Sequence, residues 1–125
     1  MAFNRVSVIG LGYIGLPTAA VIASRGIEVI GVEINQKAVD IINKGDIHIV
    51  EPDLDIVVQS VVSTGKLKAT VQVEPAEAFM IAVPTPFKTG NAGQNSPDLS
   101  YIESAAKAIA PVLEKGNLVI LESTS

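Results

Sequence analysis

Val6-Ser7-Val8-Ile9-Gly10-Leu11-Gly12-Tyr13-Ile14-Gly15-Leu16-Pro17-Thr18-Ala19-Ala20 takes a β-rich run directly into closely spaced glycines. A stretch of small and apolar residues then continues through Arg25 and stops at Gly26. This order predicts a strand, a glycine turn, a helix and a glycine C-cap. Pro17 fits the first helical turn, where backbone amides have no intrahelical acceptor to lose. Glu28-Val29-Ile30-Gly31-Val32-Glu33 reads as a second buried strand, completing a β-α-β unit of about thirty residues.

The rest of the chain repeats the alternation. Asn35 is placed to cap a helix carrying Ala38, Ile41 and Ile42 and ending at Gly45. After Pro52-Asp53, the residues Leu54, Val57, Val58, Val61 and Val62 form one apolar stripe of helical spacing, closed by Gly65. Strands are predicted at Leu67 to Val73, at Phe79 to Val83 ahead of Pro84-Thr85-Pro86, and at Leu118 to Glu122. Lys88 to Pro97, rich in Gly, Asn and Pro, reads as a loop. Ser100 and Glu103 have the spacing of a capping box for a helix bearing Ile102, Ala105, Ala106 and Ile109, with Pro111 restarting its last turns before Gly116. Strands alternating with helices predict a doubly wound, Rossmann-like α/β fold with a mostly parallel sheet covered on both faces. Ligands in such folds sit at the carboxyl ends of the strands, where Gly10, Glu33, Thr85 and Thr124 all fall.

Composition narrows the function. The chain has 125 residues, 48% of them hydrophobic and 18% charged, which suits one folded domain rather than a disordered segment. A formal charge of -4 with scattered basic residues argues against nucleic acid or an anionic membrane surface as partner. No cysteine is present, which removes disulfides, zinc-thiolate sites and any thiol nucleophile from these residues. No apolar run reaches transmembrane length, and a cytoplasmic location is the expectation.

Gly10-x-Gly12-x-x-Gly15 on its own is a short pattern that chance can produce. Its setting adds weight, because it follows a strand, opens a helix and precedes Glu33 by eighteen positions counted from Gly15. Gly10 permits the tight turn, Gly12 leaves room for a pyrophosphate to approach the backbone, and Gly15 lets the helix pack closely. The amides and dipole at the helix start suit phosphate. Glu33 is placed to accept hydrogen bonds from two ribose hydroxyls and to repel an additional phosphate, which points to NAD over NADP. Glycines that serve only a turn, and a carboxylate that is merely solvated, are the structural alternatives. His48, the single histidine, has no carboxylates or histidines at metal-ligand spacing and reads as a loop or packing residue; no metal is expected.

Four segments in order, Val8 to Pro17, His48 to Leu54, Ala82 to Pro86 and Glu122 to Thr124, together resemble the amino-terminal domain of the UDP-glucose/GDP-mannose dehydrogenase family. The resemblance implies NAD-dependent oxidation of a nucleotide sugar at its C6 hydroxyl to a carboxylate, with two NAD per sugar. UDP-N-acetyl-D-mannosamine is the first expectation for that sugar, with UDP-glucose and UDP-N-acetylglucosamine as alternatives. It also implies that Tyr13 and Ile14 line the pyrophosphate turn, that Glu33 binds the adenosine ribose, and that Thr85 and Thr124 contact the cofactor toward its nicotinamide end. Thr124 is further implied to support the reaction centre. Glu33 stands where the family usually has aspartate, which changes reach and keeps charge.

The family's nucleophilic cysteine, with its lysine and asparagine partners, is implied to lie beyond position 125. Residues 1–125 are therefore expected to be a dinucleotide-binding domain cut from a longer chain, inactive alone, with an apolar sheet edge at its C-terminal side that favours self-association. A homo-oligomer is the expected assembly. The rival is a stand-alone dinucleotide-sensing module of the kind that gates ion transporters, which shares the glycine turn and the acid but does not need the Pro84-Thr85-Pro86 loop or the Glu122-Ser123-Thr124 segment.

Overall fold

The β-branched runs pair edge to edge, and the segments of helical spacing cover them. In the computed structural model, which describes residues 3–89 and 95–122, the elements run β1 (Arg5–Ile9), α1 (Gly15–Ser24), β2 (Glu28–Val32), α2 (Gln36–Asn43), α3 (Leu54–Ser63), β3 (Leu67–Thr70) and β4 (Ala78–Ile81). They continue with β5 (Phe87–Thr89), β6 (Asn95–Pro97), α4 (Ser100–Ile109) and β7 (Leu118–Leu121). A 3₁₀ turn at Ala110–Val112 follows α4, where Pro111 removes an amide from the helical ladder. Five strands form one sheet in the order β3-β2-β1-β4-β7, every neighbouring pair parallel, as expected for a doubly wound fold.

Alternation along the strands sorts two cores. Val6, Val8, Val29 and Ala78 meet Leu16, Ala19, Ala20 and Ala23 of α1, Ile42 of α2, and Leu54, Val58 and Val61 of α3. Ile9, Ile30, Val32, Phe79 and Ile81 point the other way, against Ala105 and Ile109 of α4. Asn35 caps α2 as expected, its Oδ1 accepting from the amides of Lys37 at 3.0 Å and Ala38 at 3.3 Å. No helix among the described residues is long and apolar enough to cross a membrane.

The structure departs from the sequence reading at element ends. β3 stops at Thr70 and β4 at Ile81, because their partners stop there: β2 ends at Val32, and β1 ends at Ile9 where the chain turns. Ser100 and Glu103 do not form a capping box. Asp98 lies two residues earlier, and its Oδ1 accepts from both the amide and the hydroxyl of Ser100, at 3.0 and 2.6 Å. The Glu103 amide, which a capping box would direct to the Ser100 hydroxyl oxygen, donates to the Leu99 carbonyl at 2.9 Å, so α4 begins at Ser100 with Leu99 at the N-cap and no side-chain capping bond. The segment read as a loop from Lys88 to Pro97 contains the antiparallel pair β5–β6, in register from Phe87 opposite Pro97 to Thr89 opposite Asn95. The Asp98 amide, donating to the Pro86 carbonyl at 2.6 Å, closes its base.

The two sheet edges are finished differently. Along β3, the Asn43 amide donates to the Ala69 carbonyl and accepts from the Ala69 amide, both at 2.9 Å, so one side chain stands in for a neighbouring strand. Along β7, Leu118, Val119, Ile120 and Leu121 are exposed.

Backbones come closest where β1 ends. Gly10 has φ +97°, and a Cβ there would lie 2.7 Å from the Ala82 carbonyl oxygen. A Cβ on Gly15 would collide with the Gly10 carbonyl oxygen and come within 3.2 Å of the Ala82 Cβ, whereas one on Gly12 meets nothing within 4 Å. Gly15→Ala is expected to lower the unfolding free energy by about 3 kcal/mol, since backbone cannot retreat as a side chain can. Gly12→Ala should stay within about 1 kcal/mol of wild type. Urea unfolding of the two variants reads the difference.

Candidate functional site

The glycine turn is held to the sheet and open toward solvent. Gly10 donates its amide to the Val32 carbonyl at 2.8 Å, which keeps the turn tied to β2 after β1 has ended. Leu16 and Thr18 donate to the carbonyls of Gly12 and Ile14, at 3.0 and 3.2 Å, as the helical ladder begins. No side chain caps α1 and no acidic residue lies in its first turn, so its leading amides and positive end are unneutralised from within the helix. With Gly12 facing open space and Tyr13 62% exposed, the turn can admit an anion to its backbone.

Glu33 follows β2, its amide donating to the Thr70 carbonyl at 2.9 Å. Its carboxylate accepts from two backbone amides: Leu11 to Oε1 at 3.3 Å and Asn35 to Oε2 at 3.0 Å. One side chain thus bridges the glycine turn and the start of α2. A carboxylate offers about four acceptor positions, so two amides hold it in place and leave capacity for a pair of hydroxyls.

The turn and Glu33 open on one cleft of about 1570 Å³. Gly10, Gly12, Tyr13, Ile14, Glu33 and Thr85 all line it, brought together by the parallel strands ending on the same side. Gly15 is buried beneath the turn, acting through packing. Thr124 lies outside the described residues. His48 falls between α2 and α3, away from the cleft lining, with its Nδ1 buried and unpaired among the described residues. Those residues contain no group of three or more metal-ligating side chains.

The sequence reading passed over the cleft's apolar wall. Ile34, 85% exposed, stands beside Glu33, and Val71 and Val73 follow the end of β3. Opposite them, Tyr101, Ser104 and Ala108 of α4 project into the same space. Their i, i+3, i+7 spacing was legible as one helical face; that this face lines a cleft depends on how α4 sits on the sheet. Apolar walls, a carboxylate at one strand end and an open helix start next to it fit a dinucleotide: a flat base, a ribose diol and a pyrophosphate.

Residues 4–125 match the UDP-glucose/GDP-mannose dehydrogenase family, NAD binding domain. A UDP-N-acetyl-D-mannosamine dehydrogenase of Campylobacter jejuni is 71% identical over 98% of this chain and 30% of its own length. An NDP-N-acetyl-D-galactosaminuronic acid dehydrogenase of Ralstonia nicotianae is 67% identical over 98% of this chain and 28% of its own. Among solved structures, the UDP-N-acetyl-mannosamine dehydrogenase of Staphylococcus aureus superposes with a TM-score of 0.89 at 45% identity, covering 96% of this chain and 29% of that one. The chain spans under a third of the length of these relatives. Its parallel sheet, its glycine turn and a family match running from residue 4 to residue 125 agree, and the chain belongs to the UDP-glucose/GDP-mannose dehydrogenase family, as an NAD-binding domain.

Proposed function

We propose that residues 1–125 are the cofactor-binding domain of a UDP-N-acetyl-D-mannosamine dehydrogenase, which oxidises the C6 hydroxyl of its nucleotide sugar to a carboxylate with two NAD. The observation that carries this reading is the convergence of the open glycine turn and the doubly anchored Glu33 on one cleft. The sugar assignment rests on the 71% identity to the Campylobacter jejuni enzyme. A stand-alone sensing module would share the turn and the acid, but the similarity to dehydrogenases extends over 98% of the chain.

In this reading the amides at the start of α1 hold the pyrophosphate, and the absence of a side chain on Gly12 lets it approach. Glu33 accepts from the adenosine ribose hydroxyls and repels a 2′-phosphate. Ile34, Val73 and the α4 face of Tyr101, Ser104 and Ala108 exclude water from the adenine side of the cleft. Thr85 and Thr124 contact the cofactor toward the nicotinamide. NAD, when bound, supplies the hydride acceptor for both oxidations. These residues contain no cysteine, so the thiol expected for the second oxidation, together with the sugar-binding surface, belongs to sequence outside residues 1–125. We infer that the assembled enzyme acts on a nucleotide sugar, as a homo-oligomer in the cytoplasm.

Three measurements test this. Glu33→Ala should weaken NAD binding about ten- to a hundredfold, or about 1.5–3 kcal/mol, and narrow the preference over NADP; calorimetry that finds NAD affinity unchanged makes Glu33 a bystander. Gly12→Val should abolish NAD binding while circular dichroism shows a folded chain, because the added atoms enter open cleft and not the core. Supplied with NAD and UDP-N-acetyl-D-mannosamine, the 125-residue chain should give no steady rise in NADH absorbance, whereas a chain extended through the family's cysteine should form two NADH per sugar. Steady turnover by the shorter chain would overturn the division of labour.

A further inference from the structure

On the far side of β1 from Glu33, a second carboxylate ties together two elements distant in sequence. β7 ends at Leu121, and the Glu122 amide donates to the Ile81 carbonyl at 2.9 Å. Glu122 therefore starts beside Ala82, the residue packed against Gly10 and Gly15. Its side chain reaches α1, where the Thr18 hydroxyl donates to Oε1 at 2.9 Å and lies 3.3 Å from Oε2. Both residues are partly buried and stand 104 positions apart. Thr18 belongs to the first turn of α1, the turn that begins at Gly15. Neither ion pair among the described residues involves Glu122, so the carboxylate is held by a neutral hydroxyl.

We propose that Glu122 and Thr18 form a latch setting the separation between the pyrophosphate turn and the end of β7, which makes Glu122 a positioning residue for the nicotinamide half of NAD. The inference rests on the reading of the cleft as an NAD site. In a doubly wound fold the dinucleotide crosses the point where strand order reverses, one mononucleotide on each side of β1. Glu33 marks the adenosine side at β2, so the nicotinamide side is that of β4 and β7. Among the described residues β7 has β4 as its one strand neighbour, and beyond the β4 ladder the latch ties its end to α1. The contacts that hold the adenosine side, Gly10 to Val32 and Leu11 to Glu33, do not pass through it.

That separation gives the test. ADP-ribose carries the adenosine and pyrophosphate of NAD without the nicotinamide, so the latch should matter to NAD and not to ADP-ribose. Thr18→Val and Glu122→Ala should each weaken NAD binding about five- to tenfold, the scale of one partly exposed hydrogen bond to a charged group, with ADP-ribose affinity within about twofold of wild type. Thr18→Ser and Glu122→Gln, which keep the donor and the acceptor, should restore NAD affinity to within about twofold. The double variant Thr18→Val with Glu122→Ala should be no worse than either single change. Calorimetry is run at a temperature where circular dichroism shows every variant folded. Equal losses for both ligands would mean that the bond only stabilises the fold, and unchanged NAD affinity would mean that it does nothing for the site; either result overturns the latch. If the wild-type chain binds neither ligand, the NAD reading fails and the latch with it, whereas a wild type that binds both leaves the variants to decide the latch alone.

Discussion

The contact between Gly10 and Gly15 sets the geometry of the whole cleft. The Gly10 carbonyl occupies the space where a side chain on Gly15 would begin, and Ala82 presses on the same spot from just past the end of β4. With no Cβ at either glycine, α1 starts almost on top of the strand that precedes it. Its leading amides consequently emerge at the carboxyl edge of the sheet, within reach of whatever lies between β2 and β4. Gly12 is free of this constraint and differs in kind: its missing side chain serves the cleft and not the packing.

Glu33 completes the turn from the other side. Bonded to the amides of Leu11 and Asn35, its carboxylate is positioned by backbone before any ligand arrives, which lowers the ordering cost that a free side chain would bring to binding. The length of the glutamate side chain fits this arrangement, since reaching Leu11 from the end of β2 means spanning the gap between neighbouring strands.

Much of this was legible in the residues. Continuous β-branched runs gave parallel strands, glycines marked helix ends, and a three-glycine turn followed by an acid indicated where a ligand belongs. The losses have a common cause. Strand ends are decided by the partner strand, so Val71 to Val73 and Ala82 to Val83 could not be trimmed without knowing where β2 and β1 stop. Ser100 has the right neighbour for a capping box at Glu103, but the helix starts one residue earlier than that box requires, and the Glu103 amide goes to the Leu99 carbonyl. The pairing of Phe87–Thr89 with Asn95–Pro97 hides in a composition that otherwise signals loop. The Thr18–Glu122 bond and the α4 wall are long-range facts, created only when the second half of the sheet docks on the first.

Gly10 and Ala82 are 72 positions apart, yet each forms part of the other's surroundings. The β1–α1–β2 unit can gather itself from nearby sequence, but its turn acquires a floor only once β4 has docked against β1. A ligand that fits the floored turn binds the docked state alone, and by thermodynamic linkage its binding energy is added to the seam between β1 and β4. Opening of that seam destroys the floor of the turn and expels the ligand, and bound ligand in turn makes such opening rarer, so saturation with cofactor should slow hydrogen exchange of the amides that join β1 to β4.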